Sequence, residues 1–310
     1  MMKKTITALM ATALVMTSAS VAFAADDNGK IIAPKPTQHL QGKSEKLHGN
    51  ATQFSDVGSH FSADAVQRLS SYHMIGNGKI GGSSNAFEPN SKAVRVELKT
   101  WIKNALGKEV ADDSTNGDVS RAEVASWIAS ALPAMNTGIN GANLTAPYTD
   151  LQGVTDTQRD ALNQLYKLGI MVGDGAGHVN PHGILTRGEA AVLLDGAVKR
   201  SLTAATKVGF EQVSGELPQT VQTVANENRT EPGVYSVVDN GQRYLVVCGG
   251  EAPTGGYSVT VDGISATAAG LFVNANLQHP DPGMMVPQMV TYPTAVLKVK
   301  SDAEFTYLAQ

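Results

Sequence analysis

One cysteine, Cys248, stands in a chain of 310 residues, so no intramolecular disulfide can form. It lies in Tyr244-Leu245-Val246-Val247-Cys248, where a thiol reads as a small buried hydrophobe. Aromatic residues are few, at 5 %, and the two tryptophans, Trp101 and Trp127, each follow an arginine (Arg95, Arg121) by six residues. That shared helical position reads as core packing. Beyond residue 24 there is no apolar run long enough to cross a bilayer. The sequence holds no HExxH, GxSxG, P-loop or GxGxxG pattern. His178 and His182 are four apart, but Pro181 between them prevents a shared helical face, which argues against a metal pair. These absences point away from an enzyme, a metal site or a cofactor.

The charge balance is acidic. Lys and Arg number 24 against 28 Asp and Glu. Met1 to Ala24 has Lys3 and Lys4, an apolar stretch around Ile6 to Met16, and a small-x-small end at Ala22-Phe23-Ala24, which reads as a secretory signal. Its removal leaves 22 bases against 28 acids, a net −6. A general binder of nucleic acid or anionic membrane is excluded on that ground. Binding of an anionic polymer must come from local basic residues. Residues 25–51 are polar, without an apolar period, and read as a linker.

From Tyr148 the pattern changes to helix, loop, helix. Ala161, Leu162, Leu165 and Leu168 share one helical face, and Gly169 is placed to end that helix in a left-handed cap. A glycine-rich loop, Gly173-Asp174-Gly175-Ala176-Gly177, leads to Asn180-Pro181. Thr186 with Glu189 then forms a capping box that opens the next helix. A weaker copy precedes it: Phe54-Ser55-Asp56-Val57 matches Tyr148-Thr149-Asp150-Leu151, and Phe87-Glu88-Pro89 stands where Val179-Asn180-Pro181 stands later. The first copy has Val94 in place of the Thr cap and no Gly-Asp in its loop. Ser120-Arg121-Ala122-Glu123 starts a third such helix, whose own helix-loop half is missing.

This pattern resembles the S-layer homology (SLH) repeat, through its aromatic-x-Asp-apolar start, Leu-Gly-Ile helix end, Gly-Asp loop, Asn-Pro, and Thr-Arg-x-Glu. The resemblance implies an exported bacterial protein held on secondary cell-wall polysaccharide, often a pyruvylated one. It also implies three repeats in a pseudo-threefold bundle with ligand grooves between them. The copies fall at about 54–107, a partial 118–135, and 148–200, within a repeat region 52–200. A linker at 201–229 follows.

From Gly233 the apolar period becomes two. Asn240-Gly241 between apolar runs marks a hairpin, and Asp262-Gly263 reads as a second turn. Leu271-Phe272-Val273 and Val290 to Val299 supply further strands, giving a small β-sandwich or barrel over 230–302. The run Pro253-Thr254-Gly255-Gly256-Tyr257, followed by Asp281-Pro282-Gly283 and Tyr292-Pro293, resembles the C-terminal domain of the PrcB family of protease-complex-associated proteins. The Pro253–Tyr257 turn also resembles the inhibitory loop of chagasin-type protease inhibitors. The fold expected is therefore multidomain, with all-α SLH helix-loop-helix repeats followed by a small all-β domain.

Three arginines, Arg95, Arg121 and Arg187, each take the first position of a helix, where the macrodipole disfavours a cation by about 0.3–1 kcal/mol. A guanidinium beside free helix N-terminal amides makes a carboxylate site. Arg187, Arg121 and Arg95, with Thr186, Gly173 and Asp174, are the expected contacts for the wall polysaccharide; the competing reading pairs each Arg with an acid of a neighbouring repeat, such as Asp56 or Asp150. Pro253, Thr254, Gly255, Gly256 and Tyr257 form the expected partner-binding loop, with an extracellular protease as the partner the resemblance implies. The alternative is a secreted chagasin-like inhibitor using the same loop.

Overall fold

The computed structural model describes residues 24–25, 31–32, 43–76, 85–112, 117–132 and 145–309. The stretch read as a signal, 1–24, lies outside them apart from Ala24. In the N-terminal unit, β1 (Ala24–Ala25) pairs antiparallel with β2 (Ile31–Ile32). The other unit, from Gly42 onward, holds everything that follows.

The helical part contains α1 (Ala63–Ser71), α2 (Arg95–Leu106), α3 (Arg121–Ala131), α4 (Asp156–Lys167) and α5 (Arg187–Thr203). Their starts follow from local chemistry. Ser120, Thr155 and Thr186 each accept from the backbone amide three residues on, and Glu123, Gln158 and Glu189 reach back to close capping boxes. Val94 gives α2 no side-chain cap. Gly169 after α4 takes φ 68°, and His73 occupies the matching left-handed position after α1 at φ 55°. One core collects Leu69, Leu98, Ile102, Ile128, Leu162, Leu165, Leu185 and Leu194, all fully buried.

The β part is a two-layer sandwich. Strands β5 (Phe210–Gln212), β10 (Thr294–Val299), β7 (Gln242–Gly249) and β6 (Pro232–Asp239) form one antiparallel sheet in that order. The second runs β11 (Thr306–Leu308), β9 (Gly270–Gln278), β8 (Ser258–Thr267), β4 (Thr206–Val208), with β11 parallel to β9. Leu245, Val247, Leu271, Val273, Ala295 and Leu297 meet between the sheets. Alternate residues Tyr244, Val246 and Cys248 turn to the opposite face of β7, where α6 (Gln219–Asn228) covers them through Val221. Both faces of β7 are thus buried, which explains its unbroken apolar run. Asn240 and Gly241 take φ 47° and 78° in the β6–β7 hairpin, as the turn type requires.

Five sequence expectations change. Residues 25–51 are not wholly linker: β3 (Ser44–Lys46) pairs antiparallel with β9, Ser44 opposite Gln278. Residues 201–229 are not a linker: they carry the end of α5, β4, β5 and α6. The β part therefore extends beyond 230–302 at both ends, contains a helix, and reaches Leu308. Asp262-Gly263 is not a turn: β8 runs through it with a bulge between Val261 and Gly263, and Asp262 accepts from Asn276 Nδ2 at 2.7 Å. The run Val290 to Val299 is a strand only from Thr294.

Because β3 precedes the helices and β4 follows them, the helical part is an insertion in the β part. The two share a core. Tyr72 of the first repeat meets Phe272 of β9 edge-on at 5.3 Å, and Tyr307 joins both rings. Gly107, ending α2 at φ 69°, leaves no room for a side chain against the Ala268 backbone in the β8–β9 turn.

Ser120→Ala and Thr186→Ala should each lower stability by about 0.5–2 kcal/mol, since a helix amide loses its acceptor. Val94→Thr should be neutral or stabilising. Denaturant midpoints of the three variants check this; equal midpoints would contradict the cap assignments.

Candidate functional site

The first turns of α2, α3 and α5 meet, and the three arginines close a ring there. Arg95 Nη2 donates to Glu123 Oε1 at 3.1 Å, Arg121 Nη2 to Glu189 Oε1 at 2.8 Å, and Arg187 Nη1 to Glu97 Oε1. Each arginine, first in its helix, holds the third residue of another helix. The partners are the capping glutamates and their α2 counterpart, rather than Asp56 or Asp150. Those two aspartates have a different common task. Asp56 accepts from the amides of Phe87 and Glu88 at 2.8 and 2.7 Å, and Asp150 from those of Val179 and Asn180 at 3.1 and 2.8 Å. They hold the two repeat loops in one conformation, with Glu88 and Asn180 at φ 58° and 51°.

Those loops dock on helix starts. Ser91 and Pro89 carbonyls accept from the amides of Arg187 and Gly188, both at 2.9 Å; Gly183 and Pro181 carbonyls accept from Arg121 and Ala122 at 2.8 and 2.9 Å. The first amides of α3 and α5 are therefore taken, and the third is capped. The expected carboxylate site built on free helix amides is corrected: only side chains remain to hold a ligand there. Thr186 belongs to the cap.

The three arginines differ in what they have left. Arg187 is 3 % exposed. Its Nε donates to the Phe87 carbonyl at 2.6 Å, Nη2 to the Gly76 carbonyl, and its guanidinium lies over the rings of Phe87 and Trp101. Arg95, over Trp127, donates to Asp112 at 2.6 Å and to the Asp118 carbonyl besides Glu123. Arg121 engages Glu189 through Nη2, and its Nε, like that of Arg95, is buried without a partner.

Two grooves correspond between the repeats. One, about 350 Å³, is lined by Arg121, Ile170 to Asp174, His178, Asn180, Glu189 and Leu193. The other, about 610 Å³, has Arg187, Met74 to Gly76, Glu88, Val96, Glu97 and Trp101 in matching places. In the second, Glu97 Oε2 is buried with no partner, and burial raises the Glu97 pKa despite the bond from Arg187. At Arg95 the loop of the middle repeat is missing, and Asp112 supplies a carboxylate from the chain itself.

Gly173 and Asp174 line the Arg121 groove, but their local roles are structural. Gly173 has φ 75°, and a side chain there would meet the His178 carbonyl at 2.5 Å. Asp174 Oδ1 accepts from the amides of Ala176 and His178, and Oδ2 faces His178 Nδ1 at 2.9 Å. The His178 amide and side chain, with the Ala176 amide, lower the Asp174 pKa to about 2, and Asp174 raises that of His178. The sequence reading weighed His178 only as a metal ligand, and it missed Glu97 and Asp112. The recurring Arg-x-Glu was the available signal for the glutamates; no local signal marks Asp112.

The Pro253–Tyr257 loop is pinned to a second loop. Gly255 donates its amide to the Pro287 carbonyl at 2.8 Å, Thr291 Oγ1 donates to the Thr254 carbonyl at 2.6 Å, and the Tyr257 ring rests 5.0 Å from that of His279. Gly255 is buried and Pro253 and Gly256 are exposed. The second loop adds apolar surface the sequence reading did not include: Met284, Met289 and Val290 are exposed, and Met285 is 98 % exposed.

With this geometry in place, comparison with known proteins shows two domain matches. The chain carries an S-layer homology domain, matched over residues 147–191, and a PrcB C-terminal domain, matched over 243–300. It is similar to Exoglucanase XynX of Acetivibrio thermocellus, 22 % identical over 52 % of this chain and 18 % of that protein. It is also similar to Amylopullulanase of Thermoanaerobacterium thermosulfurigenes, 23 % identical over 48 % of this chain and 10 % of that protein. The chain thus spans less than a fifth of the length of these relatives. No helix among the described residues is long and apolar enough to cross a membrane.

Arg187→Ala leaves Glu97 buried and unpaired and should destabilise by about 3–5 kcal/mol, with partial recovery in the double variant with Glu97→Ala. Arg121→Ala, in a more exposed pair, should cost about 1 kcal/mol or less. Chemical denaturation of the three proteins measures both. For the Asp174–His178 pair the signs run oppositely. The raised His178 pKa stabilises below the ordinary histidine value near 6.5, and this is lost as pH rises through the folded value; the lowered Asp174 pKa stabilises above 3.8, and this is lost as pH falls through about 2. The melting temperature of the parent should therefore fall more than that of His178→Ala between about pH 6 and 8; parallel curves would exclude the linkage.

Proposed function

We propose that this protein is an exported, non-catalytic component of a bacterial cell surface. Its helical part anchors it non-covalently to secondary cell-wall polysaccharide, and its β part offers a surface to a protein partner, with an extracellular protease as the partner class. The SLH match and the likeness to two polysaccharide-processing enzymes support wall anchoring, since the shared segment is only a small share of those relatives. The observation that carries the site is Arg121. It is the arginine that combines a groove with a buried, unpartnered Nε, so it retains hydrogen-bonding capacity for an acid group such as a pyruvyl carboxylate. Arg187 remains in the proposed contact set as a groove wall with its guanidinium engaged; Arg95 remains in it through a buried Nε without a partner, but lines neither of these grooves.

An inhibitor that inserts the Pro253–Tyr257 turn into a protease cleft is the second reading. The exposure of Pro253 beside Met284, Met285 and Met289 favours a protein contact at this end of the sandwich. Inhibition of a protease panel by the intact protein would support the inhibitor; binding without inhibition would support the partner reading.

The anchoring test is sedimentation with cell-wall sacculi of the source bacterium. A charge-assisted hydrogen bond contributes about 1.5–3 kcal/mol, so Arg121→Ala should weaken binding about 10- to 100-fold with little change in melting temperature. Arg121→Lys keeps the charge but not the planar fork and should recover only part. A folded Arg121→Ala protein that sediments like the parent would remove Arg121 from the site. Failure of the parent to sediment would remove the anchoring function.

A further inference from the structure

Between Val208 and Phe210 the chain passes from one sheet of the sandwich to the other through a single residue, Gly209. β4 is the edge of one sheet and β5 the edge of the other. Their meeting leaves an open cleft of about 640 Å³ lined by Lys207, Lys298, Lys300, Phe210, Glu211 and Gln242. Three lysines against one glutamate face this cleft in a chain whose net charge is −4.

Protection of exposed sheet edges accounts for a lysine on β4. It does not account for the other two. Lys298 lies on β10, an interior strand between β5 and β7, and Lys300 lies just beyond its end. Neither has an ion-pair partner among the described residues; Lys298 sits across from Tyr244 on one side and Glu211 on the other. Lys207 Nζ donates to Ser265 Oγ at 3.0 Å, a neutral partner that leaves its charge unbalanced. Arg243, nearby on β7, is committed to the Ser301 carbonyl and Ser236 Oγ. The cleft is thus a local positive focus in an acidic protein, with one half-buried ring, Phe210, in its wall.

We propose that this cleft is a second contact for an anionic glycan polymer of the wall, so that the β part, as well as the helical part, touches the polymer. Flexible ammonium groups along an open cleft suit a chain of spaced carboxylates or phosphates, which need charge and not a fixed fork. The choice of a wall polymer rests on the anchoring function proposed above; the positive cleft does not.

The test uses the full chain and two probes: hyaluronate oligosaccharides for a carboxylated glycan, and glycerol-phosphate teichoic acid for a phosphate polymer. The triple variant Lys207→Gln/Lys298→Gln/Lys300→Gln should lose at least about tenfold in affinity and most of the salt dependence of binding, at an unchanged melting temperature. The corresponding triple Lys→Arg variant should bind like the parent. Binding of either probe with this loss supports the cleft and identifies the acid group. Equal binding by parent and triple Gln variant, binding of neither probe, or binding of an aspartate-rich peptide in preference to both would overturn it. Arg121→Ala separates the two sites. If it abolishes sedimentation with sacculi while the lysine variant binds both probes normally, the cleft is refuted and the helical anchor stands. If the lysine variant loses the probes while Arg121→Ala sediments normally, the cleft stands and the Arg121 site falls.

Discussion

The closed ring of arginine–glutamate pairs is the constraint on which the helical part depends. Each helix start carries a cation where its own dipole disfavours one, and an acid where the dipole favours it. The cation is unfavourable alone. Placed against another start, the cation finds that helix's acid, and three such contacts close on themselves. The acids do double work, since Glu123 and Glu189 also accept from the backbone amides of Ser120 and Thr186. A shift of α3 or α5 along its axis would break its arginine–glutamate pairs and the loop carbonyls docked on its first amides together. Buried pairs are weak evidence for net stability, but their best-attested use is to fix register, and here the register fixed is that of three helix starts.

The insertion of this bundle into the sandwich has mechanical consequences. Both connections of the helical part lead into one sheet, through β3 on β9 and β4 on β8. Force applied to the bundle is divided between two strands of that sheet, with the Tyr72–Phe272–Tyr307 cluster as a third attachment. The bundle core includes Ala269 and Phe272 from the β part, so excising residues 52–200 would expose Tyr72 and the α2 end at Gly107. The successive domains expected from the sequence are instead one nested unit.

What the sequence made legible was local or repeated. Caps at Ser120 and Thr186, the left-handed Gly169 and the Asn240-Gly241 hairpin each depend on a few neighbouring residues. The repeat was legible because two copies kept the same order of aromatic, aspartate, proline and arginine. The failures were non-local. Three residues of β3 have no measurable period and become a strand only because β9, over two hundred residues later, offers them an edge. α6 has one fully buried residue, Val221, too few for an amphipathic stripe. Asp262-Gly263 has turn chemistry, but whether a chain turns or bulges there is decided by the opposing strand, and Asn274 and Asn276 stabilise the bulge by holding the Asp262 carboxylate. At the site, the recurring arginines were visible, but which acid each would meet required the threefold arrangement itself.

That arrangement explains why three formally similar positions are chemically unlike. A perfect repeat would give three identical grooves. Here the second groove, at Arg187, contains an acceptor with no donor, Glu97 Oε2, beside a fully committed guanidinium, so an entering anion meets an uncompensated carboxylate. The groove at Arg121 contains a donor with no acceptor, so the same anion completes it. The position at Arg95 also keeps a buried Nε without a partner, but Asp112, Glu123 and the Asp118 carbonyl occupy both Nη groups from within the chain. The differences arise from few changes: a loop lost from the middle repeat, and the Phe87–Trp101 pair around Arg187 where the Arg121 groove has Val179 and Leu193. Loss of symmetry in the sequence thus removes ligand capacity at two positions while the ring that orders all three remains closed, since the ring uses one nitrogen of each arginine and the grooves depend on the others.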